Sequence, residues 1–359
     1  MKVEKILVIN PGSTSTKIAV FYDDERKFYS NISHTDDELK GFENVMQQQS
    51  FRADKIKDVL SQNGFSISDF TCIMSRGGMV PPCASGAYVI NQDMIDYMHN
   101  QVIDTHISNV GCAIAYQLAG EVSPRLPAYI YDPVTVDELE DIARITGLPE
   151  LPKRSRGHAL NTHAMAYRCA NEVMKKPLSE CTFIVQHIGG GCSVWLIHKG
   201  KAIDMYSDDD AGFAPERCGK LQAMDLIKLC YSSKYSQKEM TKKVRGNAGL
   251  RAHLGTADVL EVQERIKNGD EYAKLVFEAF AYGLSKGIGD LATVVFGKVD
   301  RIILTGGVAN SKLLTDMIEK RVSWIAPVEI MAGEFEMEAL AAGGLRIMRG
   351  VEEPHTMRY

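Results

Sequence analysis

The chain has 359 residues, of which 45% are hydrophobic and 24% charged, with 30 glycines and 12 prolines. This composition is typical of a globular protein and excludes disordered, collagen-like and low-complexity chains, and the length favours two domains. The net charge of −5 and the lack of a long basic run argue against a protein that coats nucleic acid or membranes. No apolar stretch reaches the roughly 18 residues of a membrane span.

The start of the chain and its cysteines predict a reduced, cytoplasmic protein. The first residues lead directly into an apolar strand, with no long apolar region and no small-residue cleavage site, so we expect no signal peptide. The eight cysteines include no CxxC pair and have apolar or glycine-rich neighbours, which is typical of small buried residues.

Three strands are predicted to open the chain, before helices and strands alternate. The predicted strands cover residues 5–9, 16–22, 27–33, 71–75 and 128–131. The predicted helices cover residues 54–62, 92–101 and 111–119. A segment rich in proline and charge, 151–157, is predicted to link this half to the next.

The opening pattern of strand, glycine turn, strand, turn and strand recurs in the second half. A helix capped by Asn161 or Thr162 is predicted to run to about Met174. Strands follow at 182–187, 193–198 and 202–206. Gly12 and Gly190, one in each opening turn, lie about half a chain apart. We interpret this recurrence as a structural duplication of two similar domains.

The last third of the chain is predicted to be mostly helical. Apolar residues at three-to-four spacing predict one buried helix stripe, formed by Ala273, Val276, Phe277, Phe280, Leu284, Ile288 and Leu291. Gly283 and Gly287 leave a flat spot on this helix where another backbone could approach. A strand at 301–305, a helix that begins near Ser311 and a closing helix at about 336–349 complete the prediction.

Three glycine-rich turns are candidate ligand sites. The first, Asn10–Lys17, combines Gly12 with hydroxyl side chains and a lysine, a set that suits phosphate oxygens, although a plain hairpin explains it too. The second, Gly189–Gly191, interrupts a predicted sheet, which either a ligand against the backbone or a β-bulge explains. In the third, Gly306–Gly307, a flat ring could lie on the backbone, or the strand simply turns into a helix. The chain has no Walker A sequence.

Together the three turns resemble those of the actin-like ATPase superfamily, and their details resemble the acetate/butyrate kinase family, the acetokinases. The matching segments span nearly the whole chain and are Asn10–Lys17, Gln186–Ser193, Phe213–Arg217 and Gly333–Ala341. The last two segments are similar to the butyrate kinase branch of that family. The resemblance implies an α/β protein with two similar domains of the actin-like ATPase, or ribonuclease H-like, fold and a nucleotide cleft between them.

The resemblance also implies what each domain carries. A domain of residues 1–153 plus about 335–359 would carry the first phosphate hairpin and the acid-binding site. A domain of residues 154–334 would carry the second hairpin and the adenosine site. The residues implied in ATP or ADP binding are Asn10, Gly12, Ser13, Thr14, Ser15, Lys17, His187, Gly189, Gly190, Gly191, Gly306, Gly307 and Asn310.

The activity implied by the resemblance is reversible, Mg²⁺-dependent phosphoryl transfer from ATP to butanoate, giving butanoyl phosphate. The alternative substrates within the family are 2-methylpropanoate, acetate and propanoate. A sugar kinase of the same fold would need an aspartate base for a hydroxyl, and an actin-like or chaperone-like ATP clamp would need a further domain, for which two domains leave no room. The family also implies a homodimer, and the charge of the chain predicts no nucleic-acid or membrane partner.

Four catalytic residues are carried over from the family: Arg76, His106, Asp132 and His158. Arg76 is predicted to end a buried strand, and its planar guanidinium suits the substrate carboxylate. An apolar pocket for the tail of the acid would be lined by the residues that follow it, Met79, Val80 and Pro81.

The implied Mg²⁺ ligands are Asn10, Asp132 and Glu336, with Glu338 as the rival of Glu336. Two further questions stay open. His163 is an alternative to His158, and the role of Arg217 is undefined. The acidic run 208–210 is interpreted as an exposed loop rather than a metal cluster, because nothing holds three adjacent side chains on one ion.

Overall fold

The computed structural model of the protein describes residues 2–100 and 107–357. The strands in these residues are β1 Lys5–Pro11, β2 Ser15–Tyr22, β3 Glu25–Ser33, β4 Cys72–Arg76, β5 Ala87–Val89, β6 Ala128–Tyr131, β7 Thr182–Ile188, β8 Cys192–His198, β9 Lys201–Tyr206, β10 Arg301–Gly306 and β11 Val328–Ala332. The α-helices are α1 Asp36–Leu39, α2 Gln49–Gln62, α3 Gln92–Asn100, α4 Ser108–Gly120, α5 Asp141–Arg144, α6 Ala159–Cys169, α7 Ala223–Cys230, α8 Gln237–Val244, α9 Gly249–Leu254, α10 Val259–Lys267, α11 Glu271–Val294, α12 Lys312–Val322 and α13 Glu336–Met348.

The chain divides into two compact units. The first comprises the residues up to Asp137 and from Phe335 onward, and the second comprises the residues between them. The division falls before the predicted linker because the chain joins the second unit early: the Ala202 N–H donates to Glu138 Oε2 over 2.9 Å. The predicted linker at 151–157 therefore lies within the second unit, where Lys153 forms an ion pair with Asp204 at 2.6 Å.

The first unit is built on a six-stranded sheet in the order β3-β2-β1-β4-β6-β5. β1, β2 and β3 form an antiparallel meander, whereas β4 and β6 run parallel to β1. The centre of β1 is fully buried, as expected for a central strand with a continuous apolar sequence. Buried residues of α2 and α4 join those of β1 and β2 in one hydrophobic core.

The second unit repeats this topology on a five-stranded sheet in the order β11-β10-β7-β8-β9. β7, β8 and β9 form the antiparallel meander, and β10 and β11 run parallel to β7. The order of a meander followed by two parallel strands is thus the same in both units, apart from the additional edge strand β5. This repeat confirms the prediction of a structural duplication and of two similar α/β domains.

The long helix α11 forms much of the second core. All seven residues of the predicted stripe are buried. The flat spot is also confirmed, because the Gly212 backbone approaches so closely that a Cβ at Gly283 would lie 3.1 Å from its Cα. A Cβ at Gly287 would lie 3.2 Å from a methyl group of Val194, which brings β8 close to the same helix.

Some local predictions are wrong for identifiable reasons. α6 begins at Ala159, so both predicted cap residues lie inside the helix. The Thr162 hydroxyl donates to the backbone carbonyl of His158 over 3.0 Å, and the Asn161 side chain contacts His187 instead of capping the helix. The short strands β5 and β11 were not predicted. In the described ranges, no helix is long and apolar enough to cross a bilayer.

Candidate phosphate, carboxylate and metal sites

The first glycine turn joins β1 to β2 as a tight hairpin. The Gly12 N–H donates to the Ser15 carbonyl over 2.8 Å, and Asn10 lies opposite Lys17 in the strand register. Ser13 and Thr14 at the tip are exposed. Their amide N–H groups have no acceptor within the described residues, so the tip offers donors to a ligand of the kind that an anion requires.

Arg52 is a part of this hairpin that the sequence analysis missed. It lies in α2 without any exposed surface, and its guanidinium donates to the carbonyls of Gly12 and Ser13 over 3.0 and 2.9 Å. Burial lowers the pKa of Arg52 to about 10. An arginine near a helix start normally suggests a solvated side chain, and the only sequence signal of burial is the apolar positions one turn away in the same helix.

Asn10, Arg76 and Glu336 meet at one carboxylate in the first unit. Glu336 Oε2 accepts from Asn10 Nδ2 over 2.6 Å and from Arg76 Nη1 over 3.2 Å. The three side chains come from the end of β1, the end of β4 and the first turn of α13. Parallel β1 and β4 end at the same sheet edge, and this common edge brings the two strand residues together.

Glu336 and its rival Glu338 have different partners. The Arg76–Glu336 pair is 26% and 19% exposed, whereas Glu338 pairs with Arg26 at 2.7 Å, and these two side chains are 40% and 48% exposed. Glu336 therefore belongs to the cluster with the predicted Asn10 and Arg76, and Glu338 belongs to a surface ion pair. We retain Glu336 as the candidate metal ligand.

Asp132 follows β6 in a left-handed backbone conformation, with a φ of 39°. Such a φ is unfavourable for a residue with a side chain and occurs where surrounding contacts impose it. Here the contacts are reciprocal, since Asp132 Oδ1 accepts from the Gly86 N–H over 2.7 Å and the Asp132 N–H donates to the Gly86 carbonyl over 3.1 Å. The carboxylate is thus buried and held in one orientation.

The residues after Arg76 differ in their environment. Val80 is 2% exposed and belongs to the core of the first unit. Met79 and Pro81 are half-buried. The Met79 N–H donates to Asn109 Oδ1 over 2.8 Å, which fixes the backbone of this segment against α4. Their contact with the tail of an acid stays a prediction.

The second glycine turn joins β7 to β8 and lies against acidic side chains. A Cβ at Gly191 would lie 2.6 Å from an oxygen of Asp208, and one at Gly190 would lie 3.2 Å from an oxygen of Glu216. The Glu216 N–H also donates to the Gly190 carbonyl over 3.1 Å. These side chains therefore lie close against the turn, and they favour small residues there, an explanation that the sequence did not suggest.

Arg217 lies between these two carboxylates. Its Nε is 3.5 Å from Asp208 Oδ2, and its Nη1 is 3.9 Å from Glu216 Oε2. Burial raises the pKa of the Asp208 carboxyl. Asp209 pairs instead with Arg245, and Asp210 accepts from the Ser207 N–H. The acidic run thus has three separate sets of partners, and the described residues contain no group of three metal-ligating side chains.

His158 and His187 stack beside the second turn. Their ring centroids are 3.9 Å apart and the planes differ by 12°. His187 Nδ1 lies 3.0 Å from the side-chain amide of Asn161. His158 Nδ1 lies 2.9 Å from Ser193 Oγ in β8. Residues of α6, β7 and β8 thus meet at one point.

The other predicted histidines are placed differently. His163 lies inside α6, buried and edge-on to Trp195 with centroids 6.2 Å apart, whereas His158 is the one that stacks on His187. His106 lies outside the described residues. We therefore retain His158 over His163 as the candidate.

The third glycine turn follows β10. Gly306 has a φ of 92°, and a Cβ there would clash with the Ile188 backbone. Gly307 begins a short 3₁₀ turn and would meet nothing within 4 Å, so it leaves open space above the backbone. Asn310 closes the turn by donating from Nδ2 to the Gly307 carbonyl over 2.9 Å.

The fold is that of the acetate kinases. The crystal structure of Porphyromonas gingivalis acetate kinase matches with a TM-score of 0.79, over 96% of this chain and 100% of that one, at 16% identity. A propionate kinase from Francisella tularensis subsp. tularensis SCHU S4 matches with a TM-score of 0.77, over 95% and 98%, at 18% identity. This likeness defines the class as a two-domain α/β protein of the actin-like ATPase fold, as predicted.

Sequence relatives are much closer. The acetokinase family profile matches residues 152–329. The probable butyrate kinase 2 of Caldanaerobacter subterraneus subsp. tengcongensis is 46% identical over 351 residues, which cover 98% of each chain. Butyrate kinase 2 of Clostridium acetobutylicum is 45% identical over 97% of this chain and 98% of its own. The chain belongs to the acetokinase family, which confirms the resemblance.

Proposed function

We propose that this protein is a butyrate kinase, which transfers the γ-phosphoryl group of ATP reversibly to butanoate. The observation that carries the proposal is 45–46% identity, over nearly the whole chain, to relatives that bear that name. The Asn10–Arg76–Glu336 cluster supports it, because a partly buried arginine at a strand end is the group that a small carboxylate requires.

The proposed reaction needs no general base. A carboxylic acid with a pKa near that of glutamate, about 4.3, is ionised at neutral pH. One carboxylate oxygen forms a bond to the γ-phosphorus, the bond from that phosphorus to the β,γ-bridging oxygen breaks, and its electron pair leaves with ADP. No proton moves, so catalysis depends on positioning and on the control of negative charge.

Different residues bind the acid, the phosphates and the adenine. Arg76 binds the acid carboxylate, for which it exchanges part of its contact with Glu336. The exposed amides of Ser13 and Thr14 bind phosphate oxygens, together with Lys17. In the second unit, the Gly189–Gly191 turn, next to the His158–His187 stack, is a second candidate for phosphate contact, and Gly307 and Asn310 lie against the adenine. These roles are proposals.

A magnesium ion fits the first unit. Asn10, Asp132 and Glu336 offer amide and carboxylate oxygens, the hard donors that Mg²⁺ prefers, and Mg²⁺ normally uses one or two carboxylates plus the phosphates of the nucleotide. When bound, the ion neutralises charge on those phosphates. The absence of a three-ligand cluster in the described ranges is compatible with such a site, because the nucleotide supplies the remaining ligands.

A substrate series tests the proposal. The purified protein is incubated with ATP, Mg²⁺ and straight-chain acids of two to six carbons, plus 2-methylpropanoate, and the acyl phosphate is trapped with hydroxylamine. We expect butanoate to give the highest kcat/KM, with neighbouring acids reduced by about tenfold or more, because one methylene contributes about 1–3 kcal/mol. A preference for acetate or 2-methylpropanoate would assign another substrate within the family, and no product from any acid would refute an acyl kinase.

We also propose that the protein is a homodimer. Every residue of α7 is at least partly exposed, and the exposed fractions of Met224, Ile227 and the following Tyr231 are 66%, 49% and 87%. An amphipathic helix with such an exposed apolar face suits a second copy of the chain. Sedimentation should give twice the chain mass, and Met224→Glu with Ile227→Glu should give monomers, whereas Lys228→Glu should not; a monomeric wild type would contradict the proposal.

A further inference from the structure

The buried charge behind the first hairpin is bonded to backbone rather than to a carboxylate. Arg52 Nη1 donates to the carbonyls of Gly12 and Ser15 over 3.0 and 2.9 Å, and to Thr16 Oγ1 over 2.9 Å. Nη2 donates to the Ser13 carbonyl over 2.9 Å. Its Nε donates to Gln48 Oε1 over 3.0 Å, so all three nitrogens of the guanidinium have acceptors.

No aspartate or glutamate pairs with Arg52 among the described residues. Its pKa is lowered to about 10 by burial, with no acidic neighbour opposing the shift. A fully buried cation without a counter-ion is costly, and proteins normally pair such a group. The positive charge of this guanidinium is therefore available to an anion on the other side of the hairpin.

All four backbone carbonyls of the turn, in residues 12–15, accept hydrogen bonds from the protein itself. Arg52 takes those of Gly12, Ser13 and Ser15, and the carbonyl of Thr14 accepts from the His34 N–H over 2.8 Å. The carbonyl oxygens, which are the negative ends of the peptide dipoles, therefore all accept hydrogen bonds from groups of the protein itself. The amides at the exposed tip have no acceptor in the described chain, and this is the arrangement of an anion-binding nest.

We propose that Arg52 is a positioning residue that makes the first hairpin a phosphate site. It holds the carbonyls inward, so that the tip amides face the ligand side, and it places an uncompensated positive charge behind them. The inference rests on the proposed function, which assigns nucleotide phosphates to this hairpin. Arg52 touches no substrate itself, since it has no exposed surface.

Binding of inorganic tripolyphosphate and of adenosine, each measured by calorimetry, separates this role from a general effect on the fold. Arg52→Lys keeps the charge but cannot span three carbonyls, and Arg52→Met removes the charge as well. We expect the Kd for tripolyphosphate to rise at least about tenfold in Arg52→Lys and further in Arg52→Met, with the Kd for adenosine changed by less than about twofold. Lys57→Met, a half-buried lysine of the same helix that pairs with Glu121 and not with the hairpin, is the matched control and should bind both ligands as the wild type does.

The proposal is overturned if either Arg52 variant binds tripolyphosphate as tightly as the wild type. It is also overturned if the variants lose adenosine and tripolyphosphate equally, since that result indicates a purely structural role, or if the wild type binds no tripolyphosphate. The result of this binding experiment can be distinguished from the result of the substrate series that tests the proposed function. A wild type that binds tripolyphosphate through Arg52 but makes no acyl hydroxamate would refute the kinase and leave this inference intact.

Discussion

At the scale of single residues, one carboxylate organises the candidate acid site. Glu336 accepts from Asn10 and Arg76 and thereby joins two strand ends to the first turn of α13. Its neighbour Glu338, two positions along the same helix, pairs with an arginine on the surface. The two residues therefore provide a matched pair of variants that separates a role in the site from a general effect of charge.

We predict that Glu336→Gln lowers kcat at least about tenfold and raises the Mg²⁺ concentration needed for half-maximal rate. The glutamine loses the charge that balances Arg76 and one oxygen acceptor, and its NH₂ cannot accept from either partner. Glu338→Gln should stay within about twofold of wild type, because exposed ion pairs contribute about 0–1 kcal/mol. Hydroxamate kinetics measure both variants, and equal losses in the two would remove Glu336 from the site.

A buried histidine predicts how stability depends on pH. His34 Nε2 lies 2.8 Å from Thr16 Oγ1, and burial, with Arg52 nearby, lowers the pKa of His34 to about 4. In the unfolded chain the same group titrates near 6.5, so the unfolded state binds more protons between these values. Stability attributable to His34 is therefore fully present above about pH 6.5 and is lost as the pH falls towards 4.

Urea unfolding at about pH 7.5 and about pH 5.5 measures this effect. We expect the wild type to lose about 1 kcal/mol more than His34→Gln between the two conditions, from the proton uptake of this one group. His253→Gln, an exposed histidine in the second unit, is the control and should lose as much as the wild type. Identical losses in the wild type and His34→Gln would show that His34 does not titrate in this way.

The sequence predicted some residues of the candidate site, but it did not predict which side chains or backbone groups they contact. Arg76 and Glu336 were named from a family resemblance, and the choice between Glu336 and Glu338 needed the geometry of α13. Arg52 was missed because its contacts are to the backbone of a hairpin about 40 positions earlier, and no local pattern encodes such contacts. The chain's own acidic groups beside Gly190 and Gly191 were missed for the same reason.

At the scale of elements, the glycine turn after β10 has two glycines with different requirements. Gly306 has a φ of 92° and faces the backbone of Ile188, so any side chain there is strained and crowded. Gly307, the next residue, has ordinary backbone geometry and open space. This difference between neighbours follows from the close approach of β10 to the end of β7.

We predict that Gly306→Ala lowers the free energy of unfolding by about 3 kcal/mol or more, since a φ of 92° with a ψ of 166° costs an alanine about 1–3 kcal/mol and overpacking adds about 1–3. Gly307→Ala should change it by less than about 0.5 kcal/mol or stabilise slightly, because it only restricts the unfolded chain. Urea unfolding of both variants is the measurement. Equal stability of the two would contradict the described approach of β10 to Ile188.

The elements that sequence patterns predicted well are those with local signals. The α11 stripe repeats at helical spacing, and the meander strands have apolar runs bounded by turns. β5 has only three residues, and it pairs with β6 and with His355 near the end of the chain, partners that are distant in sequence. The cap of α6 was wrong because a threonine can bond back to its own helix as well as cap it.

At the scale of the whole molecule, the duplication explains why two glycine hairpins exist. Each unit begins its sheet with the same antiparallel meander, and the first turn of each meander is glycine-rich. The two hairpins have different surroundings, a buried arginine behind the first and acidic side chains beside the second. The first is accordingly the better candidate for direct phosphate contact, whereas beside the second the carboxylates of Asp208 and Glu216 are paired with Arg217 and Arg251.

The most direct test of phosphoryl transfer to the acid follows the oxygen atoms of the acid. Butanoate labelled with ¹⁸O in both carboxylate positions is converted with ATP and Mg²⁺, the acyl phosphate is cleaved with hydroxylamine at its carbonyl carbon, and the released phosphate is examined by ³¹P NMR. If a carboxylate oxygen attacks the γ-phosphorus, each phosphate released in this step carries one ¹⁸O. Phosphate that forms only without label, in step with ATP consumption, would show transfer to water and contradict the account.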